Sequence, residues 1–420
     1  SFGSGILLEK KEGDRNLQKW ISVANILLNL LILAIFKYYN FFAENLTQLF
    51  LTFGLQLDWV TLDILLPVGI SFYTFQALSY TIDVYQHKMK PTHDIVAFFA
   101  FISFFPQLVA GPIERATHLL PQFLRSRSFD YAKATDGMRQ ILWGLFKKLV
   151  IADNCAVAVN QIFENYYQHD GLTLFYGAVL FTFQIYGDFS GYSDIAIGTA
   201  RLFGINLMRN FNFPYFSRDI AEFWRRWHIS LSSWLRDYLY ISLGGNRHGK
   251  FRQYLNLIIT MFLGGLWHGA SWNFVLWGMF HGVALALHKA WMTIIGRKKG
   301  EESHGVRRFL GVIITFNFVC FCWIFFRNAD IHNSMDMLGQ IFTTFRPQLF
   351  PQLLEGYWRV FALMALGFLL HFAPDSWENA VCRGVIRLPF LGKALLMVAM
   401  IYLVIQMKSS EIQPFIYFQF

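Results

Sequence analysis

Residues 21–36 read ISVANILLNLLILAIF, and no charge interrupts the chain from Trp20 to Phe36. A helix needs about 20 predominantly apolar residues to cross the hydrocarbon of a bilayer. This stretch comes close, and it is not alone. Apolar runs recur at 62–82, 137–163, 172–187, 191–208, 254–267, 272–295, 306–326, 358–373 and 389–407. A weaker run, 41–57, holds Glu44, Asn45 and Gln48. Pro67 and Gly69 predict a kink in 62–82. In lipid, helices satisfy their own backbone polar groups. The pattern predicts an all-α, polytopic integral membrane protein of about 10–12 transmembrane or re-entrant helices. No linker or repeat divides residues 1–420, which read as a single domain.

Composition points the same way. Hydrophobic residues make up 55% of the 420 and charged residues 15%; the mean hydropathy is +0.37. Soluble domains carry about 25% charge, so a purely soluble enzyme is disfavoured. Disorder is excluded, because it requires low hydrophobicity and high charge. The aromatic share of 18% suits contacts at membrane interfaces.

The net charge of +9 does not require nucleic acid as a partner. The basic residues lie between apolar runs, where the positive-inside rule accounts for them. Arg297, Lys298, Lys299, Arg307 and Arg308 mark a loop assigned to the cytoplasm, and the basic stretch 209–252 is expected on the same side. Residues 95–109 (IVAFFAFISFFPQLV) are short for a crossing. Lys88 and Lys90 precede them, and Arg115, Arg125 and Arg127 follow. Basic flanks at both ends, with Pro106 and Gly111-Pro112, predict a re-entrant segment. No secretory signal is visible at the start. Cys155, Cys320, Cys322 and Cys382 imply no disulfide framework and read as packing residues.

Three constellations carry candidate chemistry. In 254–270, YLNLIITMFLGGLWHGA, His268 ends an apolar run beside Trp267. A histidine at such depth marks a functional site or wet cavity by default, and the neutral imidazole is the form a general base needs. The bland alternative is a histidine bonded to a backbone carbonyl. Gly264 and Gly265 allow close backbone approach or a helix break.

In 221–240, AEFWRRWHISLSSWLRDYLY, a helix at about 100° per residue gathers Phe223, Trp227, Leu231, Trp234 and Tyr238 on one arc. Arg225, Ser232 and Arg236 fall opposite. This reads as one amphipathic helix, a surface anchor at the headgroups or the wall of a groove, with His228 at the edge of the arc. In 184–198, QIYGDFSGYSDIAIG, Asp188 and Asp194 interrupt apolar sequence. Each would cost about 2.5–3.5 kcal/mol at a helix centre if unpaired, so they are expected to pair or to shape a polar cavity. Gly187 and Gly191 predict a helix break there.

Weaker candidates surround these. His281 and His288 share a helix face. With His268 they could be called a metal cluster, but no HExxH or acidic ligand supports one, and no metal or tightly bound cofactor is expected. Lys147 and Lys148 read as a membrane-edge anchor. No phosphate loop or GxSxG elbow occurs. Intramembrane Asp and His residues also suit a transporter or a scaffold of a polysaccharide export machine.

The stretches YGDFSGYSDIAIG (186–198), NFNFPYFSRDIAEFWRRWHISLSSWLRDYLYISLGGNR (210–247) and FLGGLWHGASWNFVLWGMFHG (262–282) closely resemble the membrane-bound O-acyltransferase family. So do VGISFYTFQALSYTIDVY (68–85), FFPQLVAGPIERA (104–116) and the ending PFIYFQF (414–420). The branch they resemble acetylates alginate, other exopolysaccharides and peptidoglycan in bacteria.

The resemblance implies helices ringed around a central funnel or tunnel, in a multi-pass protein of the bacterial inner membrane. It also implies further hydrophobic sequence ahead of the region matching Ile21. The histidine of the LWHG motif, His268, is implied to be catalytic, and His228, of RWHISLS, to line the reaction centre. Trp267, Trp227, Arg225, Arg226, Arg236, Asp188 and Asp194 are the accompanying substrate-binding candidates. Implied too are a cytoplasmic thioester donor such as acetyl coenzyme A, an extracytoplasmic acceptor and an esterase-like partner that modifies the polysaccharide. Lipid surrounds the chain. D-alanyl transfer to teichoic acid is the alternative within the family.

Overall fold

Among the described residues every regular element of the computed structural model is a helix. Described are residues 1–56, 61–62, 65–296, 303–371, 375–407 and 413–416. Arg297, Lys298 and Lys299 of the loop assigned to the cytoplasm lie outside them, as do residues 417–420 and the side chain of Cys382.

Among the described residues three helices are each long and apolar enough to cross a bilayer: Arg15–Thr52, Gly305–Arg327 and Phe390–Met407. A fourth crossing is available if Pro347–Gly356 and Trp358–Leu370, bent by 92°, act as one broken span. The apolar window of Phe390–Met407 has no buried residue, so this helix stands at the outer edge of the bundle.

Helix starts follow local chemistry. Asp14 accepts a hydrogen bond from the Leu17 amide at the head of Arg15–Thr52. Asp170 does the same for Leu172 and Thr173 ahead of Gly171–Leu202. Side-chain oxygens at such positions satisfy amides that have no partner within the helix.

Several expected boundaries move. The runs 21–36 and 41–57 join in the single helix Arg15–Thr52, because Lys37, Tyr38 and Asn40 are good enough helix formers to carry the backbone through. Pro67 and Gly69 do not kink a helix. Gly69, in the left-handed region at φ 78°, precedes the helix Ile70–Tyr85 instead. Residues 95–109 form only the short helix Ile95–Ile102 before the chain turns, because Pro106 disfavours helix for the residue before it.

The expected break near Gly187 and Gly191 is absent. Gly171–Leu202 runs unbroken for 32 residues, buried along most of its length. The glycines serve packing. A Cβ on Gly191 would sit 2.8 Å from the carbonyl oxygen of Gly144, and one on Gly144 2.5 Å from that of Gly191. Small residues let helix backbones approach within a membrane. Here they seat Tyr131–Leu145 directly on Gly171–Leu202, which also contacts Asp153–Glu164, Gly305–Arg327 and Ile331–Thr343.

The polar residues of this central helix are met by lysines. Lys147 and Lys148 lie in a π-helical stretch, Phe146–Ala152, which turns both inward, so they are not the edge anchors expected. Lys147 pairs with Asp194 and donates to Ser190 at 2.9 Å. Lys148 pairs with Asp188 and Asp153, each at 2.7 Å. Asp188 also accepts the amide of Ile416 at 2.7 Å, which ties residues 413–416 to the core.

Gly249–His268 and Trp272–Ile294 pack closely along their length. Gly265 and Gly278 meet Cα to would-be Cβ at 3.1 Å, and a side chain on Gly278 would overlap the Met261 carbonyl. Close approach, not a break, is what Gly265 provides. The helix ends only at His268.

Candidate active site

Gly269 takes extended backbone after His268, and Ser271 caps the next helix through the Asn273 amide. His268 is therefore the last residue of a 20-residue helix, at the turn between the two paired helices. It is 7% exposed, deeply set in the fold. Its ring lies 5.1 Å from Trp267, 5.0 Å from Trp277 and 5.2 Å from Phe326, centroid to centroid, in edge-on contacts. The indole N–H groups of Trp267 and Trp277 find no hydrogen-bond partner among the described residues.

The segment 221–240 is not one helix. Ile220–Arg226 stops, His228 adopts the left-handed conformation at φ 43° and ψ 55°, and Ile229–Trp234 begins. A non-glycine residue in that conformation costs about 1–2 kcal/mol. Neighbouring chain holds it there: the Ile229 amide donates to the Asn210 carbonyl at 2.8 Å, and the Asn212 amide to the Arg226 carbonyl at 2.9 Å. The predicted arc nevertheless faces inward, since Phe223, Trp227, Leu231, Trp234 and Tyr238 are all buried. Their burial within the protein excludes the headgroup-anchor reading for these rings.

His228 is completely buried, edge-on to Phe189 at 4.7 Å and 6.2 Å from the Trp267 ring. Its proton position follows from Asn210. The Asn210 amide oxygen accepts from the Ser230 backbone N–H at 3.2 Å and the Ser230 hydroxyl at 2.8 Å, which fixes the orientation of the amide. That oxygen lies 3.1 Å from His228 Nδ1. An amide oxygen cannot donate, so Nδ1 carries the proton and Nε2 presents a lone pair. Nε2 has no hydrogen-bond partner among the described residues.

His281 has the opposite tautomer. Trp224 Nε1, a donor only, reaches His281 Nδ1 at 3.3 Å, so the proton of the neutral ring sits on Nε2. The ring stacks on Phe223 and abuts Trp277. His288 lies apart from it, 3.6 Å from Asp219. Among the described residues no three His, Cys, Asp or Glu side chains converge as metal ligands.

The remaining candidates divide. Trp267 and Trp227 are buried, Trp267 against His268 and Trp227 against Phe211, Phe223 and Trp323. Arg225 is exposed. Arg226 pairs with Glu222 at 2.7 Å, and Arg236 with Asp237 at 2.6 Å. Asp188 and Asp194 belong to the lysine pairs described above, not to the histidines' surroundings. A cavity of about 400 Å³ lined by Ser242, Leu243, Gly244, His248 and Arg252 opens at the other end of the helix that carries His268.

Lys37, Asn210 and Trp277 join the site without having been read from the sequence. A lone lysine within apolar sequence was a usable signal for the first. Nothing local distinguished Asn210 or Trp277.

A helical membrane domain with two paired helices, an imidazole at their turn and a second imidazole against the same tryptophan defines a class. The chain belongs to the membrane-bound O-acyltransferase family, whose model matches residues 90–329. It is similar to a probable alginate O-acetylase of Pseudomonas putida, 38% identical over 423 residues, covering 96% of this chain and 84% of the relative. A probable alginate O-acetylase of Pseudomonas aeruginosa is 43% identical over 329 residues, 78% of this chain and 61% of the relative. A peptidoglycan O-acetyltransferase of Helicobacter pylori is 37% identical over 352 residues, 76% of this chain and 64% of the relative. This chain thus spans somewhat over three-fifths of the length of the latter two.

Proposed function

We propose that the chain is an O-acetyltransferase that moves an acetyl group from a cytoplasmic thioester, acetyl coenzyme A, to a hydroxyl on the far side of the membrane. The observation that carries this reading is that His268 and His228 both lie beside the Trp267 ring, inside the membrane domain. The acetylating relatives support the acetyl group over D-alanine, and support a cell-surface polysaccharide as the final acceptor.

In this reading His268 takes the proton of the acceptor hydroxyl. The oxygen attacks the thioester carbonyl carbon, the C–S bond breaks, and the departing thiolate receives the proton from the imidazolium. Positioned base catalysis of this kind contributes about 10²–10⁴-fold. The His228 tautomer presents a lone pair, so it suits holding the acceptor O–H more than stabilising an oxyanion. The unpartnered indole N–H groups of Trp267 and Trp277 are the neutral donors nearest His268 that could hold the carbonyl oxygen.

The acceptor that meets the chain is then either the polysaccharide or an extracytoplasmic esterase-like protein that passes the acetyl group on. The location is the bacterial inner membrane, crossed several times. Incubating the chain in nanodiscs with labelled acetyl coenzyme A, and in parallel with a D-alanyl carrier protein, identifies the donor and the labelled acceptor. His268→Ala, in a buried site among Trp267, Trp277 and Phe326, is expected to lower the melting temperature as a cavity does, and to remove transfer even in the folded fraction. Full transfer by that variant sinks the assignment.

A further inference from the structure

The last four carbonyls of an α-helix have no partner within it. For the helix Gly249–His268 the chain leaves in extended backbone at Gly269, so no left-handed cap folds back to satisfy them. The partners come from far away in sequence. Lys37 Nζ donates to the Trp267 carbonyl at 2.7 Å and the His268 carbonyl at 3.0 Å. The next residue, Tyr38, donates its hydroxyl to the Leu266 carbonyl at 2.7 Å. Ser71 Oγ lies 3.5 Å from the same ammonium. Three consecutive carbonyls are thus closed by two adjacent side chains of the helix Arg15–Thr52.

We propose that Lys37 is a positioning residue for His268. Its ammonium meets the negative end of the helix dipole and fixes the carbonyl of the residue whose imidazole does the chemistry. Tyr38 assists without charge. The inference rests on the acyl-transfer reading, and it has a consequence for what counts as the catalytic unit. Residues 90–329 match the family model and contain both histidines, yet the group that closes the end of the His268 helix lies at residue 37. The helix Arg15–Thr52 is then a working part of the site and not only a membrane anchor.

The test uses the full chain in nanodiscs, with Lys37→Met and Lys37→Arg. A misplacement of about 1 Å costs on the order of 10²-fold in rate. Lys37→Met is therefore expected to lower kcat by about that factor while KM changes less than about three-fold, because no substrate contact is lost. Lys37→Arg, which keeps charge and donors, recovers most of the rate. Amide hydrogen exchange in the peptide 262–270 is expected to quicken in Lys37→Met and stay near wild type in Lys37→Arg.

Three results overturn the proposal: kcat of Lys37→Met within about two-fold of wild type, exchange in 262–270 unchanged, or KM rising in step with the loss of kcat. The last would mean that the ammonium contacts substrate. If the wild-type chain transfers no acyl group, the functional reading fails, and the exchange measurement alone decides whether Lys37 holds the helix end. Should Lys37→Met not accumulate, Tyr38→Phe replaces it. A smaller quickening in the same peptide supports the cap, and none refutes it.

Discussion

Replacing Asn210 by leucine puts methyl groups in place of the amide NH2, which donates to Ser193, and of the amide oxygen. That oxygen accepts from the Ser230 amide, the Ser230 hydroxyl and His228 Nδ1. The hydroxyl can rotate to another acceptor and the imidazole can move its proton to Nε2, but the Ser230 amide cannot adjust. An orphaned buried donor costs about 1–3 kcal/mol of folding stability, out of a typical 5–15 kcal/mol. The catalytic effect is separate. With no acceptor at Nδ1, His228 loses the restraint that keeps its lone pair at Nε2. We expect kcat to fall about 10²-fold, the low end of what a positioned base contributes, in the surviving folded fraction. Asn210→Asp keeps the acceptor and should retain most activity, although it gives up the bond from Nδ2 to Ser193 at 3.2 Å. Thermal melts in nanodiscs read the first effect, and single-turnover transfer of labelled acetyl reads the second. Wild-type melting and rate in Asn210→Leu would falsify the tautomer argument.

Gly191→Ala places a methyl 2.8 Å from the Gly144 carbonyl. It should destabilise by about 1–3 kcal/mol, as overpacking does, read as a lower melting temperature; an unchanged melt means the helices slide apart freely. Asp188→Ala leaves Lys148 with Asp153 and the Gln413 carbonyl and frees the Ile416 amide. The stranded amide costs about 1–3 kcal/mol, and limited proteolysis should then cut near residues 413–416, which stay protected in the wild type. His118 donates to Glu114 at 2.6 Å, and this bond raises the pKa of the imidazole above its usual 6.5, against the opposing effect of partial burial. The stabilisation is therefore complete below about pH 6.5 and lost as pH climbs through the raised value. Melting temperature should decline as pH rises above about 6.5, and His118→Gln should flatten that decline; an equal slope in the variant excludes His118 as its source.

Much of the architecture was legible because its causes are local. The apolar period places Phe223, Trp227 and Leu231 on an inward face whether or not the helix is continuous. His268 and His228 stood out because imidazoles within apolar sequence are rare. What local signals misjudged were residues with two uses. Gly187 and Gly191 read as a break, yet a glycine inside a membrane helix equally permits contact with a second helix, and only the presence of Gly144 opposite decides which. Lys147 and Lys148 read as edge anchors until the π-helical stretch turned them toward Asp194 and Asp188.

By itself the sequence determined the helical class and the membrane setting and singled out the two histidines as candidates, since hydropathy and period act over a few residues. The tertiary structure alone decided how those histidines are held. His228 leaves the helix because Asn210, eighteen residues away in sequence, pairs with its ring and neighbours, and His268 ends its helix against Lys37, 231 positions earlier. Hydrogen bonds across such separations follow from which helices pack together. That packing depends on shape complementarity summed over the whole bundle, so no short window of residues contains it.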